Sequence, residues 1–137
     1  MIPSNSILLT SNVEVKSQPS KTYKMDSTQM SIGNNYVNGK EALIQTIYKI
    51  LNTERYQHIM YSWNYGVEFL DLFGKPIHYV CPEVERRIKE ALLQDDRITS
   101  VDNFEFDTSI KRTVIVKFTV HTIFGDIESE KAVNINV

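Results

Sequence analysis

Apolar side chains recur along this chain at changing intervals, and each interval predicts a different kind of element. Residues 1–19 are polar and irregular apart from Ile7-Leu8-Leu9, which reads as an arm suited to ordering against a partner. Between Lys21 and Ile32 the apolar positions thin out to Tyr23, Met25, Met30 and Ile32, consistent with a loose hairpin turning near Asp26-Ser27. A helical interval begins after Asn38-Gly39-Lys40-Glu41. Asn38 is placed to accept a hydrogen bond from the first turn, and Glu41 to reach back as in a capping box. Leu43, Ile44, Ile47, Tyr48, Ile50 and Leu51 then form a broad apolar stripe, with the helix ending near Asn52-Thr53.

Residues 54–80 lose this regularity. They carry Tyr56, Tyr61, Trp63, Tyr65, Phe69, Phe73 and Tyr79, broken by Gly66, Gly74 and Pro76, and predict an irregular linker with a short helix over 67–73. Pro82 suits the first position of a second helix, since its missing N–H costs nothing there. Val84, Ile88, Ala91 and Leu92 share one face of that helix; the pairs Glu83–Arg87 and Glu85–Lys89 fall on its solvated side, and it stops around Gln94-Asp95. From Val101 the interval becomes two. Phe104 and Phe106 share a face, as do Val114, Val116, Phe118 and Val120, with Thr113, Lys117, Thr119 and His121 opposite. A tight turn at Gly125-Asp126 leads to a last strand with Ile127, Val133, Ile135 and Val137 on one side.

The predicted fold is α+β: two main helices packed on a small antiparallel sheet, a C-terminal three-stranded meander, preceded by an N-terminal arm or loose hairpin. The expected division is residues 1–37 for the arm and hairpin and 38–137 for the α+β body. At 137 residues, with 42% hydrophobic and 23% charged, the chain can bury a core without disulfides or metals.

Charge narrows the partners. Lys and Arg number 15 against 17 Asp and Glu, and the signs are interspersed. Neither a nucleic-acid footprint nor a polybasic membrane patch is expected. No run approaches the about 18 apolar residues of a membrane span. Met1 to Ser6 lack the early positive charge of a secretory signal. Cys81 is the single cysteine and reads as a small hydrophobe.

Catalytic chemistry finds little support. His58, His78 and His121 stand in no nucleophile motif, and His121 reads as an exposed strand residue. His78 and Cys81, three apart, make no closed metal site, so neither a metal nor a cofactor is expected. The scattered glycines form no phosphate loop. Glycoside hydrolysis needs two carboxylates roughly 5–10 Å apart, one with a raised pKa. Asp95-Asp96, Glu68 with Asp71, and Glu128 with Glu130 all read as surface acids.

Two stretches stand out as partner-binding candidates. Tyr61, Trp63, Asn64, Tyr65 and Gly66 crowd large aromatics into a loop, where they either close the core or anchor a partner. Asp95, Asp96 and Arg97 follow the second helix, where an acid and a guanidinium can make oriented paired hydrogen bonds.

The segments ILNTERY, YSWNYG, DLFGKP and ALLQDDRI, in that order, resemble baseplate wedge proteins of contractile-tail phages, especially those of Gram-positive prophages and phage-tail-like bacteriocins. That family shows a helix ending near T-x-x-G-x-R, a P-x-F-G loop, an L-x-x-L-L-F stretch and a second helix closing with Glu-Pro-Arg. Here Asp95-Asp96-Arg97 stands in place of the last motif, and Gly66 keeps the loop glycine while the loop proline and phenylalanine are replaced. The resemblance covers about residues 38–137. It implies a structural protein and no enzyme, assembled in the host cytoplasm and carried in the tail baseplate in six copies or a multiple. Its implied partners are other wedge proteins, tail sheath subunits, and hub or tube proteins. It further implies that Arg97 anchors a helical bundle, oriented by Asp95 or Asp96, and that the terminal sheet starts the sheath by accepting a partner strand. Some relatives carry a lysozyme-like label, so a peptidoglycan glycosidase is the enzymatic alternative. A free-standing adaptor using the aromatic loop is the other.

Overall fold

A computed structural model describes residues 19–135; the expected arm around Ile7-Leu8-Leu9 and the strand position of Val137 lie outside them. In chain order the elements are β1 (Thr22–Asp26), β2 (Ser31–Val37), α1 (Gly39–Leu51), a single 3₁₀ turn (Leu70–Leu72), α2 (Ile77–Leu92), β3 (Ile98–Asp107), β4 (Thr113–Thr122) and β5 (Gly125–Asn134). The α+β architecture holds: β3, β4 and β5 form an antiparallel meander in that spatial order, and β1–β2 form a separate hairpin.

The hairpin turns where the sequence suggests. Asp26 Oδ1 accepts from the N–H groups of Thr28 (2.9 Å) and Gln29 (3.2 Å), a side-chain substitute for a backbone turn. Its pairing shifts register between Tyr23 and Met25. At that irregularity Gln45 of α1 bridges both backbone groups, donating to Tyr23 O (3.0 Å) and accepting from Met25 N–H (2.8 Å). The hairpin is thereby fastened to α1.

In α1, Asn38 caps as expected, but its Oδ1 accepts from the nearest N–H, Gly39 (2.8 Å). Ala42, Leu43, Ile47, Ile50 and Leu51 are the buried stripe. The second helix opens at Ile77, with Pro76 at the N-cap, instead of at Pro82. Pro82 lies inside the helix and forfeits one backbone bond, a defect of about 3 kcal/mol in a helix interior. Val80, Val84, Ile88, Ala91 and Leu92 are all buried, and at about 1.5–3 kcal/mol for each large side chain this stripe outweighs the loss.

The third strand begins at Ile98 rather than Val101, because Ile98 is itself buried and pairs with Thr122. The β4–β5 turn is made by Ile123-Phe124 between paired Thr122 and Gly125, not by Gly125-Asp126. Gly125, at φ +108°, opens β5, and Thr122 Oγ1 accepts from Phe124 N–H (3.1 Å), which tightens the turn. Val114, Val116, Phe118 and Val120 turn toward the helices with Val101, Ile127, Val133 and Ile135, forming one core with both helical stripes. Phe104 stacks on Phe118 (centroids 5.4 Å apart), and Phe106 packs at the same margin. Cys81 is half-buried against this core, and burial pushes its thiol pKa up.

Candidate interaction surface

The linker after α1 has little regular structure; polar groups hold its shape. Thr53 O accepts from Val67 N–H (3.0 Å) and Arg55 N–H donates to Val67 O (3.3 Å), closing a bridge at the base of the loop. Gly66 sits in this bridge at φ +89°, where an added Cβ would lie 2.5 Å from Thr53 O. Two arginines with little solvent exposure then clamp the loop. Arg55, with a side chain 9% exposed, donates from Nε to Gly66 O (3.2 Å), from Nη2 to Asn64 O (3.4 Å) and from Nη1 to Glu90 of α2 (2.9 Å). Arg87, placed by helical spacing on the solvated side, is instead 10% exposed and holds Glu68 O (2.9 Å), Glu83 (3.1 Å) and both carboxylate oxygens of Asp71. Its pKa is raised, first by the bond to Asp71. Glu54 accepts from Phe69 N–H (3.0 Å) and Leu70 N–H (3.2 Å), and in place of the expected helix over 67–73 there is a single 3₁₀ turn at Leu70–Leu72. Arg55 and Glu54 lie within the ILNTERY segment, yet nothing in local spacing reveals that they act inward.

The two flagged stretches meet through Asp95. Tyr65, Gly66, Asn64 and Ser62 from the loop line a cleft of about 210 Å³ together with Asp95 and Gln94 at the end of α2 and Thr46 and Ile50 of α1. Tyr65 packs on the core and Tyr61 stacks on it (centroids 4.5 Å apart). Burial and then Tyr61 raise the Tyr65 pKa. Asn64 is held by Ser62 (2.6 Å) and donates to Gln94 Oε1 (3.1 Å). Trp63 is 75% exposed, and Tyr56, Ile59 and Met60 of the same loop are exposed as well.

Arg97 and Asp95 form a fork: Nε reaches Oδ1 (2.9 Å) and Nη2 reaches Oδ2 (2.6 Å), while Arg97 N–H also bonds Oδ1 (3.0 Å). Nη2 further contacts Thr46 Oγ1 (3.4 Å), tying this corner to α1. The Asp95 carboxyl is held below its usual range, first by the Arg97 side chain and then by the Arg97 N–H, against the opposing effect of burial. Asp95 is thus the residue that orients Arg97; Asp96 is solvent-exposed and acts on Arg97 only through its charge.

The meander leaves two edges. Among the described residues, β3 and β5 each pair on one side only, with β4. The outer face of the sheet, opposite the core, is polar except for the paired Ile115 and Ala132. His121 stands on it between two acids, Nδ1 2.7 Å from Asp126 and Nε2 2.8 Å from Asp102. These bonds, to Asp126 first, raise its pKa, so the exposed histidine expected here is a bridge across all three strands. Asp26, Asp71, Glu83, Asp95 and Asp107 all have lowered pKa values, the opposite of what a glycosidase general acid needs. Among the described residues no helix is long and apolar enough to cross a membrane.

The phage-like element PBSX protein XkdS of Bacillus subtilis (strain 168) is 36% identical over 132 residues, covering 92% of this chain and 93% of its own. The family described as contractile injection system sheath initiator matches residues 21–125, from β1 to the first residue of β5, and so takes in the N-terminal hairpin. The chain belongs to the contractile injection system sheath initiator family, whose role is structural, in the assembly of a contractile tail sheath.

Proposed function

We propose that this chain sits in the baseplate of a phage tail or tail-like particle, in six copies or a multiple, and starts the sheath by accepting a sheath strand at its three-stranded sheet. The observation that carries this is the meander itself. Its two outer strands each span ten residues and, among the described residues, each pairs on one side only. Backbone N–H and C=O groups on such edges are templates for a further strand.

On the same reading, the cleft face is the contact with larger wedge proteins. Tyr65, with Tyr61 stacked on it, offers an aromatic wall, Arg97 beside Thr46 an oriented cation, and the exposed Trp63 a further anchor. Asp95 and Thr46 engage Nε and Nη2 of a guanidinium that carries five donors. Hub or tube proteins are further neighbours on this reading.

A proline at an edge position whose N–H faces away from β4 tests the strand-addition step without removing a ladder bond. Baseplates carrying the variant should assemble and support the tube but grow no sheath, as seen by negative-stain microscopy. Full-length sheaths on these baseplates would refute strand addition.

A further inference from the structure

The two edges of the sheet are not equivalent. Along β3 the pairing with β4 shifts register between Ile98 and Ser100 and again between Asp102 and Glu105, and Asn103 takes φ +54°. Irregularities of this kind twist an edge and blunt it against pairing. Along β5 every residue from Gly125 to Asn134 pairs with β4 in unbroken register. The side of β5 left unpaired among the described residues is therefore a regular ten-residue template.

What flanks β5 differs on its two faces. On the core side a groove of about 390 Å³ separates β5 from α1, with Ile47 and Leu51 among its lining. Ile44 and Tyr48 of α1 also line it and remain 45% and 42% exposed, two large apolar side chains left uncovered among the described residues. The apolar surface continues past Tyr48 to Met30 and Ile32 of the hairpin, which Gln45 fastens to the same helix. On the opposite face of β5, Asp126, Glu128 and Glu130 point the same way at alternate positions. Asp126 is engaged by His121, whereas Glu130 meets Lys117 only at 3.8 Å and both are well exposed. A strand laid beside β5 would place its alternate side chains over the groove and the others beside these acids.

We infer that β5, not β3, is the receiving edge, and that the incoming sheath strand alternates apolar side chains, seated between β5 and α1, with basic ones facing Glu128 and Glu130. This rests on the strand-addition reading and specifies its edge and the chemistry of its partner. Opposite charges directly across a strand pair favour pairing and like charges oppose it, so the acids act as a filter on which strand docks.

The test uses the full chain and two synthetic ten-residue peptides, one alternating valine with lysine and one alternating valine with glutamate. Amide hydrogen exchange is followed by NMR. The lysine peptide should make the outward amides of β5 exchange about tenfold more slowly, with β3 unchanged and the glutamate peptide without effect. The double variant Glu128→Lys with Glu130→Lys should reverse the peptide preference, and Ile44→Asp should abolish binding while exchange in β4 stays slow. Protection on β3, or equal protection by both peptides, would overturn the inference while leaving strand addition standing. Protection of β5 in the full chain before any peptide is added would mean another segment already covers the edge, and would also overturn it. No protection of either edge by either peptide would count against both the inference and the strand-addition reading beneath it.

Discussion

Replacing Gly66 with alanine should be among the most damaging single-atom additions this protein can receive. The residue sits at φ +89°, and its new Cβ would lie 2.5 Å from Thr53 O and 3.3 Å from Arg55 N. Both neighbours are backbone atoms, and both belong to the bridge in which Val67 N–H bonds Thr53 O and Arg55 N–H bonds Val67 O. They cannot swing aside as a side-chain tip could. The left-handed conformation alone costs an L-residue about 1–2 kcal/mol. Losing the two bridge bonds adds about 1 kcal/mol each. The expected cost is therefore about 3–4 kcal/mol, a large part of the 5–15 kcal/mol typical of a whole domain.

Gly74 provides the control, because its φ is +77° but nothing lies within 4 Å of a Cβ built there. Gly74→Ala should cost only the conformational part, about 1–2 kcal/mol. At a urea m-value of about 2 kcal/mol/M, the midpoint should fall by roughly 1.5–2 M for Gly66→Ala and 0.5–1 M for Gly74→Ala. Trp63 is the only tryptophan and lies in the affected loop, so its fluorescence reports the loop while far-UV circular dichroism reports the helices. Equal midpoint shifts for the two variants would refute the argument that the Thr53–Val67 bridge, rather than backbone conformation, dictates glycine at this place.

Arg97→Ala should leave a folded chain yet stop assembly with wedge partners, since the Asp95 carboxylate still caps the Arg97 N–H when the side chain is gone; a circular dichroism spectrum like that of the parent with no particles recovered is the expected outcome, and a normal particle yield contradicts it. Arg55→Ala should destabilise by about 2–3 kcal/mol, because it strips donors from Asn64 O and Gly66 O and opens the loop, which urea titration and faster proteolysis between residues 56 and 64 would show. His121 should titrate above its ordinary 6.5. Its contribution to stability is then fully present below the unfolded pKa and is lost as pH rises through the folded value. An NMR titration should show the raised midpoint in the parent and a return toward 6.5 when Asp126 and Asp102 are both replaced by asparagine; an unchanged midpoint would mean the two acids are not its cause.

Much of this architecture is legible in one dimension, because periodicity records which side of an element avoids water. The stripe of Leu43, Ile47, Ile50 and Leu51, the alternation of Val114, Val116, Phe118 and Val120, and the Asp26 turn all follow from local pattern. The three-stranded meander and the helical pair follow in turn. Of the residues singled out in the sequence, Asn64, Tyr65, Gly66 and Asp95 line one cleft, whereas Tyr61, Trp63, Asp96 and Arg97 lie outside its lining.

Other features were decided only by packing. Pro82 looked like a helix start because its own chemistry suits one, but Val80 is buried on the same stripe and the helix was extended back to Ile77. Arg87 looked solvated because helical spacing pairs it with Glu83, yet it turns onto the loop and Asp71, 16 residues away in sequence. Arg55 finds Glu90 across 35 residues. The apposition of Ile44 and Tyr48 to β5 belongs to the same class, since those residues are separated along the chain by two other strands and a helix. A sequence pattern states that a side chain is apolar or charged and which neighbours share its face. Which distant backbone carbonyl or strand edge it meets depends on how the elements are stacked, and that is determined jointly by the whole core.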